Sequence, residues 1–213
     1  MNEKVKRKYD ASGRRARAER TRQDVIEAAT DLFVQRGYGA TTIADIAVAA
    51  QVSPETIYKG FGSKSAVLAA VARAQIRGDA DRTPFRQRPV IEEIRLEQDP
   101  RRQFLLYGRL LADVQPRLAP IMGVMREAAR SDQELDAVLR QLEADRLESM
   151  QEFAGLLGHR RALRRGVSAK TAADILWTLN ASELFDLLVL RRGWSADRYG
   201  RWVADQLTAA LLP

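Results

Sequence analysis

TTIADIAVAAQVSPETIYKGFGSK, residues 41–64, decides the fold. Thr42 with Asp45 forms a capping box that opens a short helix, whose Ile43, Ile46, Ala47 and Ala50 share one apolar face. Gln51 to Ser53 separate it from a second helix, started by Ser53 as cap and Pro54 at the first helical position. This second helix offers an interior only Ile57 and Phe61, one turn apart, while Glu55, Thr56, Tyr58 and Lys59 reach elsewhere. Two short helices on a three-residue turn match the helix-turn-helix unit, whose second helix enters the major groove of DNA.

The flanks extend the pattern. A second capping box, Thr21 with Asp24, is expected to open a longer helix through Val25, Ile26, Ala29, Leu32 and Phe33, ended by Gly37 and Gly39. Ser63 caps a fourth helix through Val67, Leu68 and Val71 to about Arg77. On the second helix of the pair, the face opposite Ile57 and Phe61 carries Glu55 and Lys59. A lysine donates to guanine O6 or N7, and a glutamate accepts from cytosine N4. The hydroxyls of Thr56 and Tyr58 on the flanks of that helix and the amine of Lys64 suit phosphates, and Ser53 at the helix start is a further DNA-binding candidate.

Charge supports a polyanionic partner. Residues 1–22 hold nine Lys or Arg against Glu3, Asp10 and Glu19, six of the seven net positive charges of the 213-residue chain. Such an arm is expected to be disordered when free and to meet nucleic acid, or otherwise to serve as a solvated tail. The chain has no Cys and one His, so disulfides, thiolate chemistry and the usual metal-ligand clusters are excluded. Neither MNEKVKRKYD nor any later stretch has the apolar length of a secretion signal or membrane span, which predicts a cytoplasmic, nucleoid-associated protein with no membrane partner.

The run RTRQDVIEAATDLFVQRGYGATTIADIAVAAQVSPETIYKGFGSKSAVLAAV, residues 20–71, resembles the DNA-binding domain of the tetracycline-repressor (TetR) family. The matching pieces are AxxLFxxxGY at Ala29 to Tyr38, TTIxDIAxxA at Thr41 to Ala50, VS followed by TIYxxF at Val52 to Phe61, and Ser63 with Lys64. The resemblance implies phosphate contacts at Thr42, Thr56, Tyr58 and Lys64. Two positions depart from it. Gln51 stands in the turn where many relatives have Gly, which carries a strain of roughly 1 kcal/mol if the turn is left-handed there. Gly60 replaces a bulkier residue, weakening the helix while letting another backbone approach.

After GDADRTPFRQRP, residues 78–89, the pattern is that of a second helical domain. Asp99 and Pro100 start a helix bearing Phe104, Tyr107, Leu110 and Leu111, expected to stop before Pro116. Another carries Leu118, Ile121, Met122 and Met125, and Ser131 with Glu134 opens a long one to the loop GHRRALRRG, residues 158–166, where His159 is solvated. A helix from Ser168 to Leu190, apolar on nearly every side past Ile175, and a last one capped by Ser195 follow. In the family the last two helices pair with their copies, so the resemblance implies a homodimer interface at Trp177, Leu184, Leu188, Tyr199, Trp202 and Leu207; an intrachain core is the other reading of that pattern. The family's second domain encloses a small-molecule pocket, for which Tyr107, Arg109, Met125, Trp177, Asn180 and Glu183 are the candidates.

The sequence thus predicts an all-α protein with a basic arm (1–19), a three-helix helix-turn-helix domain with a connecting fourth helix (20–77) and a larger helical ligand-binding and dimerisation domain (78–213). The expected function is a repressor on a palindromic double-stranded operator, released by a small-molecule inducer that the sequence does not identify. A DNA-binding activator or a broadly binding architectural protein is the alternative. No GxSxG elbow, Gly-rich phosphate loop or HExxH occurs, so neither an enzyme nor a cofactor is expected.

Overall fold

A computed structural model describes residues 11–78 and 88–213, with ten α-helices and one π-helical turn among them. The chain divides into two compact units, Met1–Leu68 and Ala69–Pro213, and the division falls within the fourth helix rather than at the 77/78 boundary read from the sequence. The apolar-poor stretch from 79 to 87 and the first ten residues of the basic arm lie outside the described residues.

The first unit begins with α1, Ala11–Ala40, ten residues earlier than Thr21. Gly13 to Arg20 are helical, so this part of the basic arm is ordered secondary structure and Thr21 with Asp24 is helix interior, not a start. The reason is local: the residues ahead of Thr21 are mostly Arg, Ala and Glu, strong helix formers, and a capping box acts only where the chain leaves the helix. Gly37, with φ 75°, breaks the regular dihedrals where the sequence placed the end. Buried Thr41 fastens that break, donating its hydroxyl to the carbonyls of Gly37 (2.8 Å) and Leu32 (3.3 Å). Then come α2, Ile43–Ala49, α3, Pro54–Phe61, and the start of α4, Lys64–Arg77, where the Ser63 hydroxyl accepts from Ala66 N–H at 3.0 Å. Val25, Ile26, Ala29, Phe33, Ile43, Ile46, Ala47, Ile57, Val67 and Leu68 are buried, the apolar faces read from the spacing.

The second unit takes the rest of α4, α5, Pro89–Leu96, α6, Pro100–Ala129, and α7, Gln133–His159. It closes with α8, Ala169–Leu179, α9, Ser182–Phe185, the π-helical turn Asp186–Arg191 and α10, Ala196–Leu211. Three expectations are corrected. Pro116 and Pro120 do not end a helix but lie inside α6, so the two helices expected there are one. Asp132, not Ser131, caps α7, its Oδ1 accepting from Glu134 N–H (3.0 Å) and Leu135 N–H (3.2 Å). The stretch from Ser168 to Leu190 is broken at Asn180 and Ala181 and resumes as α9 and the π-helical turn.

The core of this unit lies where α6 packs along α10 and α7 along α8, with Phe104, Leu157, Leu176, Phe185, Tyr199 and Leu207 fully inside. At the α6–α10 crossing Gly108 and Gly200 touch backbone to backbone. A methyl on either would collide with the carbonyl of the other, and Ala204 and Ala112 close the contact on both sides. Only glycine fits there.

Candidate nucleic-acid interface

The caps that start α2 and α3 also position the outward groups. Thr42 Oγ1 accepts from Asp45 N–H (3.1 Å), while Thr42 N–H and its hydroxyl donate to Asp45 Oδ2 (2.9 and 2.6 Å). These bonds from Thr42 hold the Asp45 carboxyl below its ordinary range, and they commit the Thr42 hydroxyl proton to Asp45. The turn that follows puts Gln51 at φ 54°, the left-handed conformation expected of it, with Gln51 N–H on Val48 O (3.2 Å) and Val52 N–H on Ala47 O (2.9 Å).

Ser53 then caps α3 through Thr56 N–H (3.3 Å), and its hydroxyl lies 3.2 Å from that of Thr56. Ile57 is 1% exposed and fixes the rotation of the helix. Glu55, Thr56, Tyr58 and Lys59 are therefore turned outward, Tyr58 with 55% of its surface open. A hydrogen bond with Ser53, and a weaker one with its own N–H, keep the Glu55 carboxyl below the ordinary glutamate range. An anionic Glu55 repels phosphate and suits a base-edge donor such as cytosine N4. Lys59 makes no hydrogen bond or ion pair among the described residues, so its ammonium is available.

Lys64 is a different case. Expected on phosphate, its ammonium donates to Tyr38 O (2.8 Å) and Thr41 O (2.9 Å) and stands 4.2 Å above the Tyr38 ring. Three N–H groups meet three acceptors, and the half-buried amine ties the end of α1 to the start of α4. Gly60 also departs from expectation: among the described residues, no atom outside its own helix backbone and chain neighbours lies within 4 Å of where its Cβ would be, so none of them uses the room.

One residue was missed. Arg22 Nη1 donates to Gly60 O (3.3 Å) and its guanidinium covers the Phe61 ring at 4.3 Å, so α1 holds the last turn of α3. Counted among arm charges it looked like a phosphate ligand. Its position three residues before buried Val25, on the same helix face, was the available signal.

The capped helix α3, with its four outward side chains set by one buried isoleucine, lies within the stretch that matches known proteins. Residues 25–71 match the bacterial regulatory proteins of the tetR family. That stretch of the chain is similar to the DNA-binding part of this family. The helix-turn-helix-type transcriptional repressor Rv3405c of Mycobacterium tuberculosis is 43% identical over 47 residues, 22% of this chain and 25% of that protein. The chain thus spans about a quarter of the length of the curated relatives it matches. Among solved structures, NalD, the secondary repressor of the MexAB-OprM multidrug efflux pump in Pseudomonas aeruginosa, shares the fold with a TM-score of 0.69 at 20% identity, over 92% of this chain and 98% of that one. FadR of Bacillus subtilis in complex with stearoyl-CoA does so with a TM-score of 0.68 at 18% identity, over 87% of this chain and 96% of that one.

The TetR-family expectations for the second unit divide. Tyr107 is buried and donates to Met150 Sδ (3.4 Å), Asn180 Nδ2 approaches the same sulfur at 3.7 Å, and Gln115 Nε2 donates to Asn180 O (3.1 Å). Trp177 lies under the Arg146 guanidinium at 4.3 Å. Glu183 pairs with Arg126 at 3.3 Å, at the edge of a surface cleft of about 520 Å³. Met125 is fully buried, and Arg109 is exposed, on the outer side of α6 away from this group. Of the residues expected at a dimer interface, Tyr199 and Leu207 are wholly inside the chain's own core and have no surface for a second copy. Trp177, Leu184, Leu188 and Trp202 are half-buried, and the exposed apolar groups nearby are Leu187 and Leu190, which the sequence reading did not name. Among the described residues no helix is long and apolar enough to cross a membrane.

Proposed function

We propose that the chain is a homodimeric transcriptional repressor that holds a palindromic DNA operator and is released from it by a small molecule. The observation that carries this is α3: a capped helix anchored by Ile57, with Glu55, Thr56, Tyr58 and Lys59 all outward. Phosphate contacts fall to Ser53, Thr56 and Tyr58, and base reading to Lys59 and Glu55. Two copies of α3 must meet half-sites about 34–36 Å apart or a multiple of it, and the dimer is assigned to the apolar surface around Leu184, Leu187, Leu188, Leu190 and Trp202. Release is supported by α4, whose last turn is held within the second unit by Arg117 of α6, donating to Gln75 O (3.2 Å). A ligand that moves α6 thereby pulls on the helix that starts at Lys64.

The test is selection of binding sites from random duplexes, followed by anisotropy titrations of the selected site against unrelated DNA. A two-fold symmetric site preferred by about 10³ or more is the expected result. Binding that is broad across sequences would establish an architectural protein instead.

A further inference from the structure

The interior of the second unit holds polar atoms that the protein itself leaves unmatched. Among the described residues, Trp177 Nε1, the Tyr199 hydroxyl, Gln115 Oε1 and, nearer the start of α6, Gln103 Oε1 are buried with no hydrogen-bond partner. Buried polar groups are paired in the great majority of cases, and leaving one unpaired costs about 1–3 kcal/mol. The first three ask for a common partner. They also belong together: Gln115 bonds Asn180 O, Asn180 bonds Met150, Met150 accepts from Tyr107, Trp177 stands one turn before Asn180 near the end of α8, and Tyr199 is close enough to Tyr107 and Arg146 to feel both electrostatically.

Arg146 completes the group. It lies one turn before Met150 on α7, spends one N–H on Trp177 O (2.6 Å) and stacks over the Trp177 ring. No carboxylate among the described residues forms an ion pair with it: of the charges that act on it, Glu183 pairs with Arg126, and Glu143, one turn earlier on α7, acts without contact. Burial pulls the Arg146 pKa down, and burial pushes the hydroxyls of Tyr107 and Tyr199 up, with the Arg146 charge acting on both. Both phenols therefore stand as neutral O–H groups. The unmatched set here is one cation outside any ion pair, an indole N–H and a phenol O–H, with Gln115 Oε1 as the spare acceptor beside them. Around it stand Phe104, Phe153, Phe185 and Met150. Donors in excess, a positive charge without a counter-charge and apolar walls select an anion on a greasy body.

We infer that the ligand of this domain is a lipophilic carboxylate, whose head is taken by Arg146, Trp177 Nε1 and the Tyr199 hydroxyl while its apolar body lies against Phe104, Phe153 and Met150. This rests on the ligand-responsive reading above, and it names the ligand's class. Neutral analogues forfeit the charge-assisted bond, and cationic ones meet Arg146 as a like charge.

Calorimetric titration of the full chain tests it, using octanoate, dodecanoate, 3-phenylpropionate and 2-naphthoate, each beside its primary amide. At least one acid should bind about tenfold or more tighter than its amide, the difference a charge-assisted bond makes. Arg146→Gln should erase that preference while leaving the amide's affinity unchanged, and Trp177→Phe and Tyr199→Phe, which keep their rings, should each reduce it severalfold. These two conservative variants carry the test if Arg146→Gln loses its helical circular dichroism. Equal binding of acid and amide, a preference that survives in the folded variants, or no acid binding below about 1 mM would overturn the inference. Operator anisotropy run in parallel separates the two claims: an acid that binds through Arg146 yet leaves operator affinity unchanged refutes release and upholds the ligand class.

Discussion

Replacing Lys64 by Met removes an ammonium but keeps an apolar stem of similar length, so the change isolates the charge. The ammonium makes two charge-assisted bonds, to Tyr38 O and Thr41 O, and one contact with the Tyr38 ring face. Taken at the low end, about 1.5 kcal/mol for each bond and about 0.5 kcal/mol for the ring, these sum to about 3.5 kcal/mol. Water can reach the carbonyl of half-buried Tyr38 once the amine is gone and restores part of that, leaving a loss of about 2 kcal/mol. For a chain of this size the melting temperature should fall by about 4–8 °C. A phosphate ligand predicts something else: little change in stability, and a salt dependence of DNA binding flatter by about one unit. Thermal unfolding by circular dichroism and anisotropy titrations at several salt concentrations, on the same variant, measure both. An unchanged melting temperature together with a flattened salt slope would refute the assignment of Lys64 as a fastener of α1 and α4.

Lys59→Ala should relax base preference at one operator position, with a loss of about 1–3 kcal/mol, and unaltered preference at every position would remove Lys59 from base reading. Gly60→Ala meets no protein atom, so it should stabilise the chain by about 0.5–1 kcal/mol; if DNA backbone is what approaches Gly60, operator affinity should drop at the same time. Gly200→Ala places a methyl against Gly108 O and should cost about 3 kcal/mol or more, visible as early denaturant unfolding, whereas an unchanged midpoint would mean that α10 can slide on α6. Leu187→Glu should leave a charge unpaired in the dimer and yield monomers with little operator affinity, and sedimentation showing an intact dimer would move the interface elsewhere.

The DNA-binding unit was legible because its signals are short. Thr42, Ser53, Ser63, Ser168 and Ser195 each cap a helix through an atom within three residues, and one helix face is readable from Ile43, Ile46 and Ala47 or from Ile57 alone. Local signals failed where a neighbour competed. Thr21 and Asp24 imitate a start inside α1 because nothing ahead of them breaks the helix, and Ser131 lost the α7 cap to Asp132, whose carboxylate accepts from two N–H groups at once. Pro116 was read as a stop from its missing N–H, yet α6 continues through it on packing against α10 and α7, a tertiary term outweighing a local cost of about 3 kcal/mol.

The interior of the second unit was out of reach for a different reason. Arg146 looked like one more solvent charge on an amphipathic helix, because nothing within a turn of it shows that Trp177 will lie beneath its guanidinium or that no carboxylate will pair with it. Tyr199 and Leu207 read as interface, with an intrachain core the other reading, and the choice was made by Gly108 and Gly200, 92 residues apart, whose contact draws α10 so close to α6 that both side chains are swallowed. The outward face of α3 is specified by residues four apart and is therefore written in the sequence. The inferred head-group site draws on Arg146, Trp177 and Tyr199, on three different helices, α7, α8 and α10, so changing any one alters what is bound without altering any local pattern. A fold that keeps its reading helix local and its ligand chemistry distributed lets the ligand change while the DNA contacts stay, which is why Arg146→Gln should leave the operator preference of the unliganded protein intact.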